Sequence, residues 1–263
     1  MSAAGRGFGV AAGLNPGVAG SLAARCAQLG YGSIWSNDHP YASGLETLAV
    51  FAEAASELDL GVAVMALDRH SPEQIATHIE ALELDPKRLW LGVGAGFSER
   101  PLTVMRAALP ELRAALPGVR LVLAAMGPRM CALAGAEADG AFFNWMTPGF
   151  ASEARERVRA GAAEAGREAP PAFGYVRTAV GPDAGERLVK EEAFYRDLHD
   201  GYRSHFARLG EPEGAVGVAA PDRETAQAEL AAYDEALDVV VVRGLASAEV
   251  EPMTALAEAT APA

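Results

Sequence analysis

Short apolar runs alternate with helical patterns along the whole chain, and this alternation constrains the fold more than any other feature of the sequence. It is typical of βα units that build a parallel sheet. Several of the runs are apolar on both faces, as buried parallel strands are. Eight units can be drawn, with strands predicted at residues 8–14, 33–39, 60–67, 88–96, 120–125, 141–146, 172–180 and 238–243.

Eight units in 263 residues favour one closed (β/α)8 TIM barrel, a single domain over residues 1–263, rather than an open doubly wound sheet. The S-P-E-Q run at 71–74 has the pattern of a capping box and predicts the start of the third helix. Residues 97–119 leave room after strand four for only a loop and one helix. Residues 183–220 form an insertion between strands seven and eight that begins with a long or broken charged helix. In such a barrel, functional side chains gather at the carboxyl ends of the strands.

The charge of the chain excludes several classes of partner. Lys and Arg total 22 against 35 Asp and Glu, and the net charge of −13 has the wrong sign for a general nucleic-acid or anionic-membrane binder. No stretch reaches the roughly 18 uninterrupted apolar residues that span a bilayer, and residues 1–7 lack a signal-peptide pattern. Cys26 and Cys131 fall in helix-like stretches and are expected to be reduced thiols. We therefore expect a cytoplasmic protein with a small-molecule substrate and no nucleic-acid or membrane partner.

Polar side chains follow the second predicted strand in the run Ser36-Asn37-Asp38-His39-Pro40. A histidine can donate a proton near neutral pH, and a neighbouring carboxylate can fix its tautomer. His39 and Asp38 are therefore the candidate catalytic residues. The alternative is a strand-end turn in which Asp38 caps the loop before the second helix and Pro40 fixes that loop.

Glycines follow the fourth and fifth predicted strands. Gly94 and Gly96 would let a ligand approach the backbone closely, although tight packing in the barrel explains them equally well. Gly127 and Pro128 open a helix whose first N–H groups are unpaired, and Arg129 adds the positive charge that would hold an anion such as phosphate. The alternative is that this Gly-Pro pair only marks the start of the helix.

Three further polar residues lie late in predicted strands: Asn144 in the sixth, Arg177 in the seventh and Arg243 in the eighth. The two arginines could meet a substrate anion or form structural ion pairs, and the second reading is the more common one. The histidines lack metal-ligand spacing such as H-E-x-x-H, so we expect no metal site.

Several short motifs follow one another between residues 8 and 245. They read LGYGSIW at 29–35, DHP at 38–40, LDR at 67–69, SPEQIA at 71–76, AAMGPRM at 124–130 and NWMTP at 144–148. As a set they resemble the luciferase-like monooxygenase superfamily, and its deazaflavin-dependent branch in particular.

The resemblance implies a luciferase-like (β/α)8 barrel that holds coenzyme F-420, a deazaflavin, or alternatively FMN, over the strand ends. It places Asp38 and His39 beside the ring and a non-prolyl cis peptide at Ala63-Val64 behind the ring. It places the loop at 126–130, with Gly94 and Gly96, along the cofactor phosphate and chain. It also implies a homodimer, since homodimers are common in the superfamily. The residues expected around the cofactor are Asp38, Ala63, Val64, Gly94, Gly96, Met126, Gly127, Pro128, Arg129, Met130 and Asn144.

The activity that the resemblance implies is hydride transfer from the reduced deazaflavin to a C=C, C=N or C=O bond, with His39 supplying or relaying the proton. Phe97 stands where sugar-oxidising relatives carry an acidic residue, which favours reduction. One alternative is an FMN-dependent monooxygenase, which the short segment after strand four disfavours because a reactive oxygen adduct needs exclusion of water. Another is a cofactor-binding barrel without catalysis in a biosynthetic complex.

Overall fold

A computed structural model describes residues 5–262, and its strands form a closed ring in which every pairing is parallel. The ring runs from β1 through β7 to β9, which pairs with β1; β8 pairs with β7 outside the ring. The predicted (β/α)8 barrel is thus confirmed. The strands are β1 (Gly7–Val10), β2 (Ser33–Ser36), β3 (Asp59–Ala66), β4 (Leu89–Gly94), β5 (Arg120–Ala124), β6 (Gly140–Asn144), β7 (Ala172–Val180), β8 (Val218–Ala220) and β9 (Val239–Gly244).

Helices follow the ring strands and pack around the barrel. Local signals set several of their starts: the Ser71 hydroxyl accepts from the N–H of Gln74, and the Gln74 side chain accepts from the N–H of Ser71, so the predicted capping box is present. The helices are α1 (Pro16–Gln28), α2 (Gly44–Ala54), α3 (Pro72–Ala81), α4 (Pro101–Ala115), α5 (Pro128–Glu137), α6 (Pro148–Glu164), α7 (Ala184–Leu198), α8 (Asp200–Leu209), α9 (Arg223–Ala236) and α10 (Val250–Ala259). No helix within residues 5–262 is both long and apolar enough to cross a membrane.

Aromatic side chains fill the interior of the barrel. The Trp35 ring lies 5.0 Å from that of Phe142 and 5.2 Å from that of Phe173, centroid to centroid. Gly61 makes room for this packing, because a Cβ atom there would lie 2.1 Å from the Trp35 indole. The lower barrel is therefore a packed core rather than a pore, which leaves the strand ends as the place for a ligand.

Four predicted strands extend too far. The first ends at Val10 instead of residue 14, the second at Ser36 instead of residue 39, the fourth at Gly94 instead of residue 96 and the sixth at Asn144 instead of residue 146. The second ends early because residues 39–42 turn back on themselves, with His39 and Ala42 joined by an antiparallel bridge of two backbone hydrogen bonds.

The segment after β4 is short, as predicted, and holds one helix, α4. The insertion between β7 and β9 is helical, as predicted, and it breaks at His199 into α7 and α8. It also contains β8, which the sequence reading did not anticipate because only three residues pair there.

Candidate active site

The insertion helices contact residues at five of the eight strand ends that form the barrel mouth, which is the ring of carboxyl strand ends. Their contacts reach the ends of β9, β7, β6, β5 and the loop after β4. Within residues 5–262, no hydrogen bond or aromatic contact joins them to the loops after β1, β2 and β3. These contacts include Arg187 with the carbonyls of Leu245 and Val180, Tyr202 with Asn144, His205 with the carbonyl of Trp145, Arg208 with the carbonyl of Met126, and His199 with Phe97.

The loop after β2 carries the predicted proton donor on the uncovered side of the mouth. The Tyr41 backbone N–H donates to Nδ1 of His39 at 3.3 Å, so the proton of the neutral imidazole lies on Nε2. His39 is half-buried, whereas Tyr41 at the tip of the turn is 94% exposed. Nε2 is therefore the atom with which His39 would donate a hydrogen bond to a ligand.

The carboxylate of Asp38, in the loop after β2, contacts the start of α2 and the loop after β3. Its Oδ1 accepts from the N–H of Gly44 at 3.0 Å, and its Oδ2 accepts from Arg69 and contacts Nε2 of His70, both at 2.9 Å. The side chain is only 3% exposed. These contacts match the alternative in which Asp38 caps the loop before the second helix. His39 is not among the hydrogen-bond partners of this carboxylate.

The peptide bond between Ala63 and Val64 is cis, at the position that the resemblance implied. The pairing register between β3 and β4 shifts at this point. Gly92 and Gly94 allow the two strands to approach, since Cβ atoms there would lie 2.4 Å from the Val62 carbonyl and 3.2 Å from a Val64 methyl group. Gly94 thus has a packing reason, and Val64 beside it is half-buried at the mouth.

Gly96 also has a structural reason. Its φ is +61°, a left-handed conformation, and a Cβ atom there would lie 2.1 Å from the carboxylate of Asp68. That carboxylate accepts from the N–H of Phe97 at 3.0 Å. Both glycines thus have a packing reason, Gly94 between strands and Gly96 between loops, and ligand binding at either one stays a prediction.

The start of α5 has free space around it and no side-chain cap. A Cβ atom at Gly127 would meet nothing within 4 Å, and no side chain caps the helix. Pro128 has no N–H, and the first intrahelical bonds begin with the N–H groups of Met130 and Cys131. Arg129 is exposed and makes no ion pair or hydrogen bond in residues 5–262. Met126 and Met130 pack against the core on either side, so the helix start is fixed in place.

Asn144 and Arg177 meet at the ends of β6 and β7. Nη1 of Arg177 donates to Oδ1 of Asn144, and Nδ2 of Asn144 donates to the hydroxyl of Tyr202 at 3.2 Å. The guanidinium carbon of Arg177 lies 4.4 Å from the Trp145 ring centre and 4.8 Å from that of Tyr195. Burial raises the pKa of Tyr202 to about 12.

Arg243 lies beside Arg177. The two residues are register partners on β9 and β7, and they follow the core residues Val241 and Tyr175 by two positions, so their side chains share the inward face. Burial, and then the charge of Arg177, lower the pKa of Arg243 below its ordinary value. The structure thus brings together three of the predicted site residues: Asn144, Arg177 and Arg243.

Sequence reasoning missed two groups of residues at the mouth: those in the loop after β3 that contact Asp38, and those of the insertion that contact the strand ends. Arg69 and His70 are the third and fourth residues after the end of β3, so the rule that strand ends carry function could have found them. The insertion residues had no sequence signal, because their position over the mouth depends on tertiary packing. These residues are Arg187, Glu191, Tyr195, Tyr202, His205 and Arg208.

Comparison with known proteins gives a consistent picture. The sequence profile described as luciferase-like monooxygenase matches residues 3–117 and 104–259. No curated protein sequence matches the chain. An F-420-dependent secondary alcohol dehydrogenase in complex with an F-420–acetone adduct is similar in structure, with a TM-score of 0.74, 17% identity and coverage of 99% of each chain.

Two further solved structures represent both cofactor classes. The coenzyme F-420-dependent tetrahydromethanopterin reductase of Methanopyrus kandleri has a TM-score of 0.74 at 15% identity, covering 99% of this chain and 98% of that one. The FMN complex of the oxygenating constituent of 3,6-diketocamphane monooxygenase of Pseudomonas putida has a TM-score of 0.69 at 14% identity, covering 98% and 97%. At these identities the likeness establishes the fold and leaves the cofactor open.

Proposed function

The chain belongs to the luciferase-like monooxygenase family, and on that premise we propose that it is a coenzyme F-420-dependent reductase of a small organic substrate. The observation that carries the proposal is the open start of α5, where a free arginine and uncapped N–H groups lie at the barrel mouth. Two structural relatives with F-420 in their names support the choice of the deazaflavin.

The residues present fit a phosphate-bearing cofactor. The start of a helix of ten residues binds anions through its free N–H groups and its dipole, and no side chain occupies that position here. Arg129 supplies a guanidinium without a carboxylate partner within residues 5–262. Gly127 leaves the approach clear, since even a methyl group there would touch nothing. We assign these residues to the phosphate end of the cofactor.

The remaining residues would orient the reaction. When bound in its reduced form, coenzyme F-420 supplies a hydride. His39 would donate a hydrogen bond from Nε2 to the substrate atom that gains negative charge, because its Nδ1 is already held by the Tyr41 N–H. Asp38 would act by holding the loop of His39 against α2 and the β3 end, which makes it a positioning residue in this proposal.

The experiment is a parallel titration of the purified protein with coenzyme F-420 and with FMN, followed by the quenching of cofactor fluorescence. Tight binding of F-420 with weak binding of FMN supports the proposal. An Arg129→Met variant should weaken binding of the preferred cofactor, because phosphate loses its guanidinium. Binding of neither cofactor would contradict the proposal and favour a barrel without this chemistry.

A second candidate, an FMN-dependent monooxygenase, gains support from one observation. The segment after β4 is short, but α7 and α8 reach across the mouth to Phe97 and supply a cover that the sequence did not predict. Such a cover could exclude water from a reactive oxygen adduct. A preference for FMN in the same titration would favour this candidate.

The homodimer that the resemblance implies stays a prediction.

A further inference from the structure

We infer that Arg177 and Arg243 bind an anionic group of the substrate, a carboxylate or another oxyanion, at the ends of β7 and β9. The inference rests on the proposed function, because it names the substrate class of the same barrel mouth. It begins from two guanidinium groups that lie side by side in the interior. Arg177 is 2% exposed and Arg243 is 8% exposed.

The two arginines have few acceptors. Arg243 makes one hydrogen bond, from Nη1 to the carbonyl of Gly244 at 3.1 Å, and no ion pair within the described residues 5–262. Arg177 donates from Nη1 to Asn144, and its Nε lies 3.9 Å from a carboxylate oxygen of Glu191, which is too far for a hydrogen bond. Two buried positive charges thus share one distant carboxylate.

Hydrogen-bond donors around this pair also lack acceptors. In residues 5–262, six buried side-chain polar atoms have no partner, and three of them lie here: Nε of Arg177, the indole N–H of Trp145 and the hydroxyl of Tyr175. The rings of Trp145 and Tyr175 lie 4.4 and 5.5 Å from the guanidinium carbon of Arg177. An unpaired buried donor costs free energy, and an unpaired buried charge costs more. What this cluster lacks is an acceptor with negative charge.

The packing keeps the guanidinium of Arg177 oriented for such a group. Trp145 and Tyr195 lie close to its guanidinium carbon, and Asn144 holds Nη1. A guanidinium whose neighbours fix its plane presents its N–H groups in a fork that matches a carboxylate. A second guanidinium beside it would add further donors to the same oxyanion, and the anion would relieve the repulsion between the two cations.

The pair is separate from the position that we assign to the cofactor phosphate. Arg129 and the start of α5 follow β5, whereas Arg177 and Arg243 lie on β7 and β9. The loop at Met126 is joined to α8 by a hydrogen bond from Arg208 to the Met126 carbonyl. Since an oxyanion can come from the substrate or from the cofactor, the test must distinguish these sources.

The test uses acetate as the charged probe and acetamide as its neutral isostere, with ionic strength held constant by chloride. Acetate should raise the midpoint of thermal unfolding by about 2–4 °C at saturating concentration, and acetamide should not. Acetate should also change the fluorescence of Trp145, whose ring packs on Arg177. An equal response to both probes would overturn the inference.

Arg243→Met removes one charge of the pair with little loss of volume. Without ligand, its unfolding midpoint should be equal to or above that of the wild type, because an unpaired buried charge is gone. It should lose the response to acetate and bind coenzyme F-420 or FMN with unchanged affinity. Arg129→Met, which removes an exposed arginine, is the matched control and should keep the acetate response. Arg243→Lys keeps the charge and should retain part of the response, which covers the case in which the methionine variant does not fold.

Two results would overturn the inference: acetate stabilises Arg243→Met as strongly as the wild type, or Arg243→Met loses affinity for the cofactor. The second result would assign the pair to the cofactor phosphate. If neither cofactor binds the wild type while acetate still acts through Arg243, the proposed function fails and the anion site stands. If a cofactor binds and acetate has no effect, the anion site fails alone.

Discussion

The ring of Phe97 stacks on the imidazole of His199, with ring centres 4.5 Å apart and planes inclined by 26°. Phe97 belongs to the loop after β4, and His199 lies at the break between α7 and α8. The contact therefore joins the insertion to the far side of the barrel mouth. An insertion after β7 thus covers the region where the short segment after β4 provides no cover of its own.

Removal of this stack should loosen α8. For Phe97→Ala we expect faster backbone hydrogen exchange in α8 and a loss of about 0.5–1 kcal/mol in the free energy of unfolding, since a stacked pair contributes that much and Phe97 is largely exposed. Phe194→Ala is the control, because Phe194 is equally exposed but contacts its own neighbour Tyr195. Equal exchange in both variants would contradict a role for the stack.

The contacts of Asp38 predict a stability effect. Asp38→Ala leaves the N–H of Gly44 without its acceptor and separates Arg69 and His70 from the loop after β2. We expect the free energy of unfolding to fall by about 2–3 kcal/mol, measured by urea denaturation. Asp68→Ala is the matched control. Asp68 lies in the loop after β3, and its carboxylate is exposed and accepts one backbone N–H. An unchanged stability of Asp38→Ala would mean that these contacts contribute nothing.

The sequence predicted the elements whose signals are local. The capping box at Ser71 depends on residues three positions apart, so it could be read directly. The end of β2 was placed too late because the turn at His39 has no hydrophobic signal of its own. Two of the three partners of Asp38, Arg69 and His70, lie 31 and 32 residues further along the chain, and only the register of β2 and β3 brings them to Asp38. The sequence predicted that Arg177 and Arg243 each lie near the end of a strand. Their position side by side and their lack of acceptors depend on the strand register and on the three-dimensional packing.

Two glycines at the mouth should differ in their tolerance of a side chain. Gly96→Ala places a Cβ atom on the Asp68 carboxylate and forces a non-glycine residue into the left-handed region, so we expect a loss of about 1–3 kcal/mol in stability. Gly127→Ala meets no atom within 4 Å and has an extended backbone, so its stability should change by less than about 0.5 kcal/mol. Thermal unfolding of both variants measures the difference. A similar loss in the two would argue against this account of Gly96.

The buried His205 should make stability depend on pH. Its Nε2 contacts the carbonyl of Trp145 and its Nδ1 contacts Arg208, and desolvation by burial lowers its pKa below the ordinary value of 6.5. The unfolded chain therefore takes up this proton at a higher pH than the folded chain does. The stabilisation is present above about pH 6.5 and is lost as the pH falls through the lower pKa of the folded state.

His205→Gln keeps a donor and an acceptor but does not titrate. Urea denaturation at pH 7.5 and 5.5 should show a smaller loss of stability at the lower pH for this variant than for the wild type. The same pH dependence in His205→Gln and in the wild type would contradict the expected titration.

The role of His39 is separable from that of its loop. In His39→Ala the affinity for the cofactor should be unchanged, while the rate of hydride transfer to the best substrate of an unsaturated carboxylic acid screen should fall by roughly 10²- to 10⁴-fold, the usual contribution of a positioned proton donor. Tyr41→Ala is the matched control, because its backbone N–H still holds Nδ1 of His39 and its exposed ring makes only a distant contact. Single-turnover reoxidation of the reduced cofactor separates the two effects. If His39→Ala transfers hydride at the rate of Tyr41→Ala, the proton comes from another group, and the contacts of His39 with Tyr41 and Ala42 serve only to shape the turn.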